Sequence, residues 1–313
     1  MSRLSVQAPR AVVMIRPHHF TPNPVTAADN AFQARDEKRR PDDLATLAYQ
    51  EVTRMAQGLA DAGITVHLYE DVSTATPDSV FPNNWFSTHS GGHAAIYPMY
   101  SENRRHERRA DIIEMLKAEY RVQDVIDYSG LEKDSIFLEG TGAMVLDHIA
   151  RVAYMVRSNR ANEVALERFC THFNFEPMIF DAVDRSGKPI YHTNVLLCIG
   201  TDFALLGEQS IPDSRRRQEV VARLEEAGRL VIELSTEQIE NFAGNAIELE
   251  GREDRIVALS ARAHAALQSE QISAIEQAAK LLSFDVSTIE LAGGSVRCML
   301  AGIHLARRIP QTA

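Results

Sequence analysis

Five stretches of the chain share one pattern, small or polar residues leading into a short apolar strand, and they recur at nearly constant intervals. They are FPNNWFSTH around Asn84, FLEGTGAMVLD around Glu139, YHTNVLLCIG around His192, FAGNAIEL around Gly244 and AGGSVRCML around Gly294. The steps between those marks are 55, 53, 52 and 50 residues. A period of this length is the signature of repeated supersecondary units.

The segments after each stretch repeat as well. A second short strand comes next, then an amphipathic helix, then an extended apolar segment: AAIYPM, HERRADIIEMLKAEY and RVQDVID in the first unit. The fourth unit reads RIVALS, a helix over ARAHAALQSEQISAIEQAAKLL, and FDVSTIEL. The helices are read from apolar residues three and four apart, such as Ile112, Met115, Leu116 and Tyr120. The fifth unit runs out of chain after AGIHLARR, and its missing parts stand at the other end: AVVMIRP, DDLATLAYQEVTRMAQGLADAG and ITVHLYE. Splitting one unit between the chain ends closes a ring. The expectation is an α/β fold, a five-bladed α/β propeller of ββαβ units with pseudo-fivefold symmetry, closed by the N- and C-terminal strands. The chain 1–313 is then a single domain with units at about 72–130, 131–184, 185–235, 236–291, and 292–313 plus 1–71. Two doubly wound α/β domains are the alternative, which leaves the even spacing unexplained. The Pro- and Asn-rich segment between Arg16 and Asp42 breaks the pattern and reads as a long lid or binding loop.

Composition narrows the function. A net charge of −10 argues against a nucleic-acid surface, and no apolar run approaches the roughly 20 residues of a membrane span. Three cysteines do not make a disulfide framework, so a reduced, cytoplasmic protein is expected. In the ring, the polar residues that open each unit converge: Asn83 and Asn84, Glu139, His192 and Asn194, Asn245, and Cys298. A thiol, an imidazole and a carboxylate in one cavity supply a nucleophile, an acid/base and an orienting charge.

At these residues the chain resembles the guanidine-modifying, amidinotransferase/arginine deiminase-like (pentein) superfamily. LEGTG is similar to its carboxylate motif, HTN to its His-x-Asp motif and SVRCM to its nucleophile motif. Among its branches, MIRPHHFTPNP, FPNNWFSTH and GGSVRCM are most similar to the citrulline-utilisation hydrolases. The resemblance covers essentially the whole chain and implies a five-bladed propeller. It makes Cys298 the nucleophile, His192 the acid/base and Glu139 its carboxylate. NRRHER and RSNRAN would place Arg104 and Arg160 on a substrate carboxylate, a role suited to a guanidinium fork. Arg297 would help His192 favour the thiolate beside the substrate.

Two positions depart from the deiminase pattern. Where arginine deiminases hold a guanidinium between acids, this chain has Asn84 (or Asn83) and Asn194. A buried cation without carboxylates is costly, whereas a neutral ureido group makes no such demand, and an amide NH2 can donate to its developing oxyanion. The expected activity is therefore a cysteine-dependent hydrolase converting citrulline to ornithine, ammonia and carbon dioxide through a covalent Cys298 intermediate. No metal or cofactor is expected. The expected partner is a small amino acid, with no nucleic acid or membrane, and self-association into a homo-oligomer is left open. The rivals are a guanidino-group hydrolase or amidinotransferase acting on arginine or a methylated arginine, and a non-catalytic propeller that only binds.

Other residues carry blander readings. Cys170 and Cys198 read as core, and His172, His264 and His304 as structural or solvated. His18 and His19 suit a loop rather than a metal pair, and Arg215–Arg217 a solvated helix face. Trp85 suits a pocket wall or the core, and Asn245 a substrate contact or a turn. Gly140, Gly142, Gly293 and Gly294 allow either a tight turn or a close approach to ligand.

Overall fold

The computed structural model describes residues 6–34 and 39–308. Among these residues, strands form five small sheets of three. In chain order the strands are β1 (Ala11–Pro17), β2 (Thr65–Asp71), β3 (Phe86–His89), β4 (His93–Ile96), β5 (Asp124–Asp127), β6 (Met144–Asp147), β7 (Val152–Val156) and β8 (Glu176–Phe180). Then come β9 (Leu197–Ile199), β10 (Phe203–Leu206), β11 (Leu230–Glu233), β12 (Ile247–Glu250), β13 (Arg255–Ser260), β14 (Lys280–Phe284) and β15 (Ala301–Ile303).

All five sheets share one topology. The first strand of a unit runs antiparallel to the second, and the second runs parallel to the third. Antiparallel neighbours need only a tight turn, whereas a parallel pair needs a crossover, and here the crossover carries the helix. Helices Pro41–Asp61, Ala110–Glu119, Glu163–Phe173 and Ser214–Glu226 each fill that place in one unit. The expected split unit is present: β15 pairs with β1 in the register Ala11 to Ile303, Val12 to Gly302 and Val13 to Ala301.

The middle strands explain their own spelling. β1, β7 and β10 are buried along nearly their whole length, so they read as continuous apolar runs rather than alternating ones. Helix Pro41–Asp61 buries Leu44, Ala48, Val52, Met55 and Leu59, a stripe at helical spacing, and begins with proline at its first turn. The fourth unit departs from expectation. Its helix is broken into Ala261–Ala266 and Ser269–Glu276, because Leu267 turns extended and Gln268 opens the second piece with a reciprocal capping pair to Gln271. Its third strand is Lys280–Phe284, upstream of the expected FDVSTIEL, where Ile289–Ala292 instead makes a single 3-10 turn.

The first strands of neighbouring sheets touch: β15 lies against β3, β6 against β9, and β9 against β12. The turns that precede these strands are thereby gathered together. A buried ion pair ties the second and third units beneath them. Arg229 Nη1 and Nη2 donate to Asp147 at 2.5 and 2.8 Å, and Arg229 Nε donates to the Gly200 carbonyl at 2.8 Å. Replacing Arg229 by leucine leaves the Asp147 carboxylate buried without its cation. Urea unfolding of that variant is expected to show a loss of about 3–5 kcal/mol.

Candidate active site

The candidate residues occupy equivalent places, each on the turn before the first strand of a unit. Asn83 and Asn84 lie in the 3-10 turn Pro82–Asn84, and Glu139 precedes the short helix Gly140–Ala143. His192 precedes the turn Thr193–Val195 that contains Asn194. Asn245 stands two residues before β12, and Cys298 lies in the turn before β15. Glycine is required where these turns meet. A Cβ on Gly142 would lie 2.2 Å from Asn84 Oδ1 and 2.8 Å from His192 Nδ1. Gly140 has φ +47°, and a Cβ there would lie 2.5 Å from the Asn83 carbonyl. These two glycines therefore serve close approach as well as turning.

Glu139 is fully buried and gathers the charged groups. Its Oε2 is 2.9 Å from His192 Nε2, 3.5 Å from Arg104 Nη1 and 3.6 Å from Arg160 Nη1. Its Oε1 accepts from the Tyr100 amide at 3.1 Å. Burial alone would raise the carboxyl, but Arg160, the His192 hydrogen bond and Arg104 together hold it well below the usual carboxylate range. For His192 burial dominates and lowers the imidazole to about 4, against the pull of Glu139.

Cys298 and His192 line one cavity, which with its mouth encloses about 270 Å³. Around it stand Asn84, Arg104, Arg160, Asp78 and Tyr191. Two side-chain amides meet the sulfur: Asn194 Nδ2 and Asn245 Nδ2 each donate to Cys298 Sγ at 3.2 Å. Asn245 also accepts from the Arg297 amide at 3.1 Å, so its position is fixed at both ends. The choice between turn and ligand contact thus resolves into a contact with the Cys298 sulfur. The Oδ1 of Asn194 is buried without a protein partner.

Several expected site residues sit differently. Arg297 does not line the Cys298 cavity; it lines a separate recess with His148, Cys198 and His304, because consecutive residues of the turn face opposite ways. Asn83 is fully buried outside the cavity lining, its carbonyl accepting from Thr141 Oγ1 at 3.2 Å. Asn84 does reach the cavity. In the orientation that satisfies both ends of its amide, its oxygen accepts from Arg104 Nη1 and Nη2 at 3.1 Å and its nitrogen faces Asn83. The Arg104 fork is taken by Glu107, with both bonds at 2.9 Å, rather than left open for a carboxylate. Arg160 donates its own fork to Asp29 of the long loop, at 3.0 and 2.6 Å. Trp85 is fully buried against Phe86 and belongs to the core.

Three further residues escaped sequence reasoning. Asp78 lines the cavity, buried, 3.6 Å from Arg104 and accepting from Asn23 Nδ2 at 2.8 Å. Tyr191 lies under the Arg160 guanidinium, and its hydroxyl donates to the Gly293 carbonyl. Asp29 lies in the described part of the Arg16–Asp42 segment; residues 35–38 fall outside the described residues. The only spelling that could have exposed Asp78 is its place five residues ahead of the Asn pair.

Residues 16–305 match the family described as N,N dimethylarginine dimethylhydrolase, eukaryotic, nearly the full length of the chain. The chain belongs to that family. It is a hydrolase of the guanidine-modifying superfamily, whose members act on guanidino C–N bonds. No curated protein matches it. Among solved structures it is similar to the N-terminal domain of ArgZ, an arginine dihydrolase from the ornithine–ammonia cycle in cyanobacteria. That likeness has TM-score 0.73 and 16% identity, over 94% of this chain and 97% of the other. Unliganded AgrE gives TM-score 0.74 and 19% identity, over 96% of this chain and 40% of that one. A dimethylarginine dimethylaminohydrolase adduct with S-methyl-L-thiocitrulline gives 0.61 and 14%, over 96% and 100%. At these identities the structures attest the fold, with its five repeated sheets.

The depressed His192 has a direct consequence. A folded-state value below the ordinary 6.5 means that the fold favours neutral imidazole, and protonation is resisted as pH falls from 6.5 towards about 4. An NMR titration of the His192 ring is expected to show neutral imidazole at pH 6 and an inflection near 4. An inflection at 6.5 would contradict so complete a burial.

Proposed function

We propose that the protein hydrolyses the ureido group of citrulline through a covalent bond to Cys298. The charge distribution of the cavity carries this reading. Its lining holds Arg104 and Arg160 against a single carboxylate, Asp78, and the sulfur is met by two neutral amides. A guanidinium seated at the sulfur would meet two neutral amides and no carboxylate, an unfavourable place for a buried cation, since the nearby carboxylates are already paired with Arg104 and Arg160. A zwitterionic amino-acid head suits the other end: Arg160 can take the carboxylate once Asp29 leaves it, and Asp78 can take the ammonium. In this reading the described part of the loop, residues 18–34, acts as a lid that withdraws Asp29 when substrate enters.

The chemistry follows from the contacts. Neutral His192 accepts the Cys298 proton, and the thiolate, held by the Asn194 and Asn245 amides, attacks the ureido carbon. A C–S bond forms, and the resulting imidazolium, steadied by Glu139, protonates the departing nitrogen as the C–N bond breaks. The product is a thiocarbamate on Cys298, with ammonia released. Neutral His192 then takes a proton from water, whose hydroxide displaces the sulfur. The carbamate so formed loses carbon dioxide to leave ornithine. Asn194 Oδ1, unpartnered and buried, is available to accept a substrate N–H.

The five sheets and their touching first strands support the wider reading, a single propeller domain around this cavity. Among the described residues no helix is long and apolar enough to cross a membrane, and the three cysteines are free. Both facts suit a reduced cytoplasmic setting. The second reading, hydrolysis of arginine or a methylated arginine, is favoured by the dimethylarginine description of the family. Purified protein given citrulline, arginine and dimethylarginine separately, with ammonia and ornithine assayed, separates the two. Citrulline is expected to be turned over best, and turnover of a guanidino substrate alone would sink the ureido reading.

Two variants test the mechanism. Cys298→Ser is expected to fold normally and to lose turnover; an active serine variant would refute the covalent scheme. Asn245→Ala removes one donor from the sulfur. A hydrogen bond to a charged group contributes about 1.5–3 kcal/mol, so alkylation of Cys298 by iodoacetamide at fixed pH should slow roughly 10- to 100-fold.

A further inference from the structure

The recess that holds Arg297 lies on the other side of the Cys298 turn. With its mouth it encloses about 610 Å³, and its wall includes Gln7, Thr88, His148, Cys198, Arg297 and His304. Among the described residues the Arg297 guanidinium makes one hydrogen bond, from Nη1 to the Leu300 carbonyl at 3.2 Å. Among the described residues no carboxylate pairs with it. The buried arginines Arg104, Arg160 and Arg229 each have one: Glu107, Asp29 and Asp147 respectively.

The surroundings suit a negative guest. Glu248 is the one carboxylate in the wall, and it is turned to other partners: its Oε2 accepts from Thr201 N and Oγ1 at 2.8 and 2.6 Å, and its Oε1 lies 3.3 Å from Arg255. The rings of His148 and His304 stack with centroids 4.0 Å apart. His304 Nδ1 is 3.2 Å from the Val6 carbonyl, and the His148 ring nitrogens have no protein partner among the described residues. Burial first, and then the Arg297 charge among others, holds both imidazoles below their ordinary value. A cation partly withdrawn from water with no carboxylate beside it is uncompensated, and an oxyanion that accepts from it and from a His148 N–H is the group that satisfies it. The N–H of neutral His304 is already given to the Val6 carbonyl, so that ring serves to stack on His148.

We propose that this recess binds a small oxyanion of the phosphate or carboxylate type, with Arg297 as its charged donor and His148 and His304 beside it. Arg297 thereby has a ligand of its own rather than a share of the substrate, and His148 has a role beyond packing.

The experiment uses the full chain with inorganic phosphate as the probe, titrated calorimetrically at constant ionic strength maintained with chloride. One saturable site is expected, and the ring resonances of His148 and His304 should shift along the same saturation curve while those of His192 stay in place. Arg297→Gln is expected to weaken binding at least about tenfold, through loss of a charge-assisted contact. His148→Phe, which retains that arginine, should weaken it by a smaller factor, and the histidine shifts in the unmutated protein need no variant at all. Heat and shifts that follow ionic strength alone, or Arg297→Gln binding phosphate as the unmutated chain does, would overturn the site. Movement of the His192 resonances in place of His148 and His304 would also overturn it, by placing phosphate on Arg104 and Arg160. None of these readouts depends on turnover, so the outcome is independent of whether citrulline is the substrate.

Discussion

A carboxylate removed from water must be compensated where it stands, and Glu139 satisfies that demand by drawing three other segments to itself. Its two oxygens meet the Tyr100 amide, the His192 ring, and the guanidinium groups of Arg104 and Arg160. These partners come from the first three repeat units, so one acidic group fixes their relative positions. The orientation of His192, and with it the place where a proton can be handed over, is a consequence of that compensation. The cost of burying two arginines is met in the same way, since each also holds a second carboxylate.

The cavity is divided by charge. At one end lie arginines and Asp78, suited to the ionic head of an amino acid; at the other the sulfur meets two amides, with His192 in the same lining. The pentein fold accommodates such variation because each unit contributes one turn to the site, and each turn can change its side chain without disturbing the strand behind it. Asp29 adds a further element. A carboxylate of the protein itself occupies the Arg160 fork, so the loop and a carboxylate-bearing ligand compete for one guanidinium.

How much of the molecule was legible in the sequence depended on range. The repeat spacing exposed the five units and even the unit split between the chain ends, because strand, helix and turn each leave a local pattern. Local patterns failed where two structures share one spelling. The segment 261–282 is helical by periodicity, yet it breaks at Leu267, and KLLSF, apolar enough for either state, pairs beside β13. The Cys, His and Glu were found from residue chemistry at repeated positions. Asp78 was not, and Asn245 was named but left between a substrate contact and a turn, since a turn asparagine and a loop aspartate are spelled alike whether or not they touch a ligand.

By itself, the sequence determined the five ββαβ units, the superfamily and a set of candidate side chains, all of which follow from short-range patterns and fixed spacings. Only the tertiary structure decided which neighbours those side chains have. Arg297 and Cys298 are adjacent in the chain but turn into different recesses, while Asn194 and Asn245, 104 and 53 residues away from the cysteine, meet at its sulfur. Direction around a turn is set by packing against strands from distant units, and no local pattern records it.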